Sequence, residues 1–255
     1  MIAIVTGSGR GIGRSIAVRL AKEGFAVAIN VKRHLDEGEE TLREVERYSR
    51  GILVQADVAT REGAAALVGE ALRAFGSVDV LVNNAGLGIA RPLAEVDEAL
   101  WDKLIDTNLK SVYLVTKEVL PHMIGKRRGS IINITSIAGM TGLANLVPYS
   151  AAKAGVIGFT KALAAEVGSM GITVNAIAAG LVKTKMGDSL VKYVGKTEDE
   201  WAADHTLTGS AVDPDEVAEL VAVLATGRIR NMTGQVLVID SGSSLVESRR
   251  FSSSG

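Results

Sequence analysis

Residues 2–13 read IAIVTGSGRGIG, and the helical pattern RSIAVRLAKEG follows at 14–24. IAIVT (2–6) is a short β-branched apolar run of the kind found in a strand buried on both faces. The glycines at 7, 11 and 13 are spaced G-x-x-x-G-x-G rather than G-x-G-x-x-G. Glycine lets backbone approach a pyrophosphate, and the start of the next helix presents free N–H groups to an anion. Three glycines alone could mark a plain tight turn. Strand, turn and helix in this order point instead to a phosphate-binding βα unit, with Gly7, Ser8, Arg10, Gly11, Ile12 and Gly13 in the site.

The same alternation continues downstream. AVAIN (26–30), GILVQADV (51–58), DVLVNNAG (79–86), GSIINITS (129–136), ITVNAIAAG (172–180) and TGQVLVIDSG (233–242) read as strands. Helical periodicity appears in 61–76, 101–123 and 213–226. The expected fold is α/β: a single domain over 1–242 with a doubly wound parallel sheet of about seven strands and helices on both faces. Residues 185–212 show poor periodicity and are expected to form a mobile lid over the substrate. The polar tail, 243–255, is expected to fray or press against a subunit.

Composition narrows the function. The 47% apolar content suits a sizeable core, and a net charge of −1 with interspersed signs gives no electrostatic case for nucleic acid. Cysteine is absent, which excludes disulfides, thiolate metal sites and cysteine nucleophiles. His34, His122 and His205 lack ligand spacing, so no catalytic metal is expected. Met1 leads straight into a strand, and no apolar run reaches the roughly 18 residues of a membrane span. A soluble, reducing, cytoplasmic setting with no membrane contact is the expectation.

Chemistry concentrates in ITSIAGMTGLANLVPYSAAKAGV (134–156). Tyr149 and Lys153 are four apart and share a helix face. A phenol titrates near pH 10, but an ammonium about 4 Å away favours phenolate by about 4 kcal/mol at a surface-like dielectric. On that basis Lys153 lowers the phenol towards neutrality, and Tyr149 can exchange a proton with a carbonyl or alcohol oxygen. Ser136 can donate to the same oxygen. A second Tyr-x-x-x-Lys, Tyr113 and Lys117, has Leu100 where the serine would stand, so Tyr113 is expected to be a packing residue. The end of the second strand bears on cofactor choice. It continues Val31-Lys32-Arg33 with no acid until Asp36, and with Arg10 these cations favour a 2′-phosphate, unless they are simply solvated charges.

Thr6-Gly-x-x-x-Gly11-x-Gly13, Asp57, Asn83-Asn-Ala-Gly86, Asn108, Ser136 and Tyr149-x-x-x-Lys153 together resemble the short-chain dehydrogenase/reductase family from residue 2 to about 242. The resemblance implies a Rossmann-type sheet ordered 3-2-1-4-5-6-7, binding NADP(H) in preference to NAD(H). It implies that Asp57, beside Val58, binds the adenine amino group, and that Asn84, Ala85 and Gly86 line the cofactor cleft. Asn84 and Asn83 are expected to act mainly as sheet braces. By resemblance Lys153 anchors the nicotinamide ribose, Thr184 bonds the carboxamide, and Asn108 bends its helix and holds a water touching Lys153. The family has Pro-Gly where this chain has Ala179-Gly180, a loss expected to loosen that turn.

Overall the chain looks most like 3-oxoacyl-(acyl carrier protein) reductases. Lys126-Arg127-Arg128 suits an acidic acyl carrier protein, although a second base common in such reductases is here Met170. The rival is a reductase or dehydrogenase of free ketones, secondary alcohols or sugars. Leu87, Met140, Leu143, Leu146 and Met186 as substrate pocket favour an apolar substrate over a sugar. A remoter rival is a non-catalytic NADP-binding sensor. Relatives are commonly tetramers, and apolar faces such as SVYLVTKEVLPHM exceed one core's needs, so a homotetramer is expected.

Overall fold

The structure is a computed structural model and describes residues 1–246. In chain order the elements are β1 (Ile2–Val5), α1 (Gly11–Lys22), β2 (Ala26–Val31), α2 (Leu35–Glu46), β3 (Gly51–Gln55), α3 (Arg61–Phe75) and β4 (Val80–Asn83). Then come α4 (Glu98–Ile105), a π-helical turn (Asp106–Lys110), α5 (Ser111–Lys126), β5 (Gly129–Ser136), α6 (Ala138–Thr141) and α7 (Val147–Val167). β6 (Ile172–Ala179), α8 (Lys185–Tyr193), α9 (Glu198–His205), α10 (Pro214–Ala225) and β7 (Val236–Ile239) complete it.

The seven strands form one parallel sheet in the order β3-β2-β1-β4-β5-β6-β7, as expected. Alternate strand residues feed two cores. Val5, Val27, Ile29 and Ile132 pack with Ile16 and Leu20 of α1 and Val217 and Val221 of α10. Ile4, Ala28, Leu81 and Ile131 face Leu67 of α3, Val115 and Val119 of α5 and Leu163 of α7. With both faces covered, the strands read as continuous apolar runs. The chain winds one way from β1 to β3 and the other way from β4 to β7. A switch point therefore lies at the carboxyl ends of β1 and β4, where such sheets bind ligands.

A polar ladder crosses the second core. The Asn83 side-chain amide donates to Thr116 of α5 (3.1 Å) and to Oδ1 of Asn133 (2.8 Å), and Asn133 donates to Thr160 of α7 (2.9 Å). Asn83 is thus the expected brace.

Residues 185–212, expected to form a lid, hold two capped helices. Thr184 caps α8 by accepting from Gly187 N–H (3.1 Å), and Thr197 forms a capping box with Glu200 on α9. Tyr113 is not packed inside the chain: it is 44% exposed on α5, with Lys117 donating to its hydroxyl at 3.2 Å. The Ala179-Gly180 turn is tied on both sides, since Ile137 N–H donates to Ala179 O (3.0 Å) and Gly180 N–H to Ile239 O (2.9 Å). The tail begins folded: Ser244 N–H donates to Asp240 Oδ2 (2.8 Å), and the rest of 243–255 from 247 on lies outside the described residues. Among the described residues no helix is long and apolar enough to cross a membrane.

Candidate active site

The glycine turn is shaped by contacts that side chains would block. Gly7 (φ +62°) would put a Cβ 2.8 Å from Ala85 Cα, so the ends of β1 and β4 touch there. A Cβ on Gly13 would meet the Gly7 carbonyl and the Asn84 amide. Asn84 donates to Thr6 O (2.9 Å) and Gly7 O (3.0 Å), so its side chain holds the turn rather than reaching into the cleft. No side chain caps α1, which leaves the N–H groups of its first turn, including Ile12, open to an anion. This cradle fits a dinucleotide pyrophosphate.

Two residues that sequence reasoning passed over fix the turn. Asn30, at 2% exposure, accepts from Gly7 N–H (3.2 Å) and donates to Val54 O (3.3 Å) and Ala56 O (3.1 Å). Arg14 donates to Gly9 O at 2.7 Å and pairs with Glu40 at 2.8 Å. The signal available was a polar residue at the end of an otherwise apolar strand. Ser8 corrects the expectation in another way. Its hydroxyl is buried, donating to Val5 O (2.7 Å) and accepting from Asn30 N–H (3.0 Å), so only its backbone faces the turn.

The expected cations are partly engaged. Lys32 pairs with Asp57 at 2.6 Å, and Asp57 also accepts from Ala59 N–H (3.1 Å), with buried Val58 between. Arg10 pairs with Glu37 at 3.2 Å, an acid the sequence reading did not weigh. Arg33 stands exposed at the end of β2. Thr184 sits across the cleft, its methyl 3.2 Å from where a Gly11 Cβ would be, while its hydroxyl caps α8. Gly180 packs against Asp240, where a Cβ would lie 2.8 Å from Cα.

Ser136, at the carboxyl end of β5, accepts from Ala138 N–H (3.1 Å) and stands beside the half-buried Tyr149 side chain. Lys153 is 4% exposed. Its ammonium donates to Ile134 O (2.9 Å) and lies 5.7 Å from the centre of the Tyr149 ring. This corrects the simple electrostatic expectation. Burial pushes the Tyr149 phenol up, and the neighbouring Ser136 hydroxyl opposes that shift; burial likewise lowers Lys153 to about 8. The ammonium keeps two further donors, and it lies close to Gly86, where a Cβ would sit 3.6 Å from Nζ.

The tyrosine helix is fitted closely. Thr135 donates to Lys153 O (2.9 Å), and a Cβ on Gly139 of α6 would sit 2.6 Å from Lys153 C. Asn108, fully buried in the π-helical turn, clasps Leu87 by accepting from its N–H (3.0 Å) and donating to its carbonyl (2.8 Å). It donates to Leu104 O as well (2.8 Å). The π-helical turn thus interrupts the α4–α5 run at the place where family resemblance put a bend.

The apolar pocket is only partly assembled. Met186, on α8, reaches Gly88, 3.3 Å from its would-be Cβ, and Leu87 is half-buried beside Asn108. Met140 and Leu143 are exposed, whereas Leu146 turns inward at 7% exposure and is not a free wall. Arg127 and Arg128 lie elsewhere, sharing a cavity of about 670 Å3 with Asp79 and Arg230 at the amino ends of the strands. From Gly129 to Ser136 along β5 is about 23 Å at the usual strand rise. The basic cluster and the tyrosine therefore occupy opposite ends of the sheet.

Known proteins resemble this chain over nearly its whole length. A 3-oxoacyl-[acyl-carrier-protein] reductase of Staphylococcus epidermidis is 41% identical over 241 residues, covering 94% of this chain and 97% of its own. A (2S)-[(R)-hydroxy(phenyl)methyl]succinyl-CoA dehydrogenase subunit of Thauera aromatica is 39% identical over 248 residues, 96% of each chain. A solved Brucella melitensis structure described as a ribose-5-phosphate isomerase superposes with a TM-score of 0.90 at 32% identity, over 98% of this chain and 94% of that one. Activity therefore has to be argued from the site, since the fold hosts several. Residues 1–194 match the short chain dehydrogenase family, and the chain belongs to it.

Proposed function

We propose that the protein is an NADP(H)-dependent oxidoreductase interconverting a carbonyl and a secondary alcohol, acting on 3-oxoacyl thioesters or their carrier-linked forms. The observation that carries this reading is the convergence of Ser136, Tyr149 and Lys153 beside an open glycine turn. Bound nicotinamide supplies or accepts the hydride at its C4. Tyr149 gives its phenolic proton to the substrate oxygen, and Ser136 holds that oxygen in line. Lys153 offers its spare donors to the nicotinamide ribose and its charge to the phenolate left behind. Asn108 supports the loop at Leu87 and the bend facing Lys153. Substituting Tyr149→Phe is expected to keep dinucleotide binding and lose nearly all turnover; near-normal kcat would sink the assignment.

The identity to a carrier-protein reductase supports the thioester class, as do the apolar Leu87 and Met186. Lys126, Arg127, Arg128 and Arg230 offer a basic face to an acidic acyl carrier protein. That face lies at the far end of the sheet from Tyr149, so a carrier seated on it serves the cleft of a neighbouring copy. This suits a homotetramer, as does the exposure of Trp101, Tyr113 and Ile124 on α4 and α5 and of Val238 on β7. The second reading, reduction of free ketones, is favoured by Met170 in place of a second base. Rates with carrier-linked 3-oxoacyl substrates, short 3-oxoacyl thioesters and simple ketones separate the two.

A further inference from the structure

One carboxylate beside the glycine turn is shared by two cations from separate parts of the chain. Glu37, in the first turn of α2, meets Arg10 of the glycine turn at 3.2 Å and Lys185 of α8 at 2.9 Å, both on Oε1. Its side chain is 16% exposed, while those of Arg10 and Lys185 are 52% and 75% exposed. The pairing holds the carboxyl below its ordinary range although burial works against that. Lys185 adjoins Thr184, whose methyl lies 3.2 Å from where a Gly11 Cβ would be, so the ion cluster stands on the same edge of the cleft. Lys32 is occupied by Asp57, and Arg33 has no ion-pair partner among the described residues.

We propose that Glu37 and Lys185 set the selectivity for the 2′-phosphate that distinguishes NADP from NAD. Glu37 is the resident counter-ion of Arg10 and Lys185, and a phosphate with close to two negative charges takes both cations from it. Lys185 thereby becomes a phosphate ligand brought by the α8 segment, and Glu37 the acid that limits how tightly that phosphate is held. The idea rests on the reading that an adenine dinucleotide occupies the glycine-turn cleft.

The test is direct titration of NADPH and NADH into the full chain by calorimetry, with folding of each variant checked by its thermal melt. Glu37→Gln is expected to tighten NADPH about tenfold relative to NADH, equivalent to about 1.4 kcal/mol. Lys185→Met is expected to weaken NADPH about fivefold and to change NADH by less than twofold. A relative gain of NADPH below about threefold in Glu37→Gln, or unaltered NADPH affinity in Lys185→Met, overturns the proposal. The wild-type ratio tests the NADP preference separately: equal affinities would defeat that preference while the variant shifts still decide the role of Glu37. Binding of neither dinucleotide to the wild type would remove both.

Discussion

The Lys153 ammonium donates to the carbonyl oxygen of Ile134 at 2.9 Å, two residues before Ser136 on the same strand. The surface pair with identical spacing behaves otherwise: Lys117 bonds the Tyr113 hydroxyl directly. Four-residue spacing on a helix brings lysine and tyrosine together in both places, and what differs is the surrounding structure. On the surface no carbonyl among the described residues competes for the ammonium. In the cleft a strand-end carbonyl does, and it holds the charge beside the ring, where it meets the phenol electrostatically as proton transfer leaves a negative oxygen.

Burial of that ammonium has a pH signature. Its folded value of about 8 lies below the ordinary 10.5, so the unfolded chain keeps this proton longer than the folded one. The charge therefore burdens the fold at neutral pH, and the burden is relieved as the pH rises from about 8 towards 10.5. Relative to Lys153→Met, wild-type stability should gain up to roughly 3 kcal/mol between pH 7 and pH 10.5. Denaturant melts of both proteins at the two pH values measure it; a pH-independent difference would show that the ammonium is not buried as a charge.

The fit of Gly139 against Lys153 yields a paired experiment. Gly139→Ala forces a Cβ to within 2.6 Å of the backbone of α7 and is expected to cost about 1–3 kcal/mol of stability, with kcat falling more than tenfold. Gly158→Ala, in the same helix with nothing within 4 Å, should stabilise by up to about 1 kcal/mol and leave kcat alone. If both variants behave alike, the close approach is not what positions Tyr149.

Asn30 joins three segments with one amide. Asn30→Ala removes the acceptor of Gly7 N–H and both donors to the end of β3, and is expected to cost about 2–3 kcal/mol and weaken dinucleotide binding. Asn30→Asp should be worse, because a carboxylate oxygen would then face Val54 O and Ala56 O. Equilibrium unfolding and cofactor titration together check both expectations.

Assembly is open to measurement as well. Light scattering should give the mass of four chains, and Tyr113→Glu combined with Val238→Lys should reduce it while the far-ultraviolet dichroism is kept. A wild-type monomer would leave the exposed apolar residues of α5 and β7 without the proposed explanation.

The sheet was legible because both of its faces are covered, so each strand is written as an apolar run bounded by turns. The glycine turn was legible because Gly7 and Gly11 have positive φ and Gly13 has no room for a side chain. The helices α2, α8 and α9 were not, for a physical reason. They bury little besides Gly38, Thr41, Val45, Gly187, Val191 and Ala202, so no run of large apolar side chains marks them. For α8 and α9 the caps Thr184 and Thr197 were the available signal, Thr197 with Glu200 three residues on being the plainest. Glu37 escaped notice because its partners lie 27 and 148 residues away. The raised phenol and the diverted lysine depend on burial, which spacing does not encode.

The amide ladder through Asn83, Asn133, Thr116 and Thr160 gives the catalytic helix a fixed height on the sheet. Hydrocarbon packing alone tolerates a slide along the helix axis, since one leucine replaces another at little loss. An amide stranded without its hydroxyl does not, at about 1–3 kcal/mol for each orphaned group. Thr160 lies seven residues beyond Lys153 on α7, so a shift of α7 would break that bond before it moved the phenol far from its serine. The polar interruption of the core thus serves as a ruler for the reacting groups.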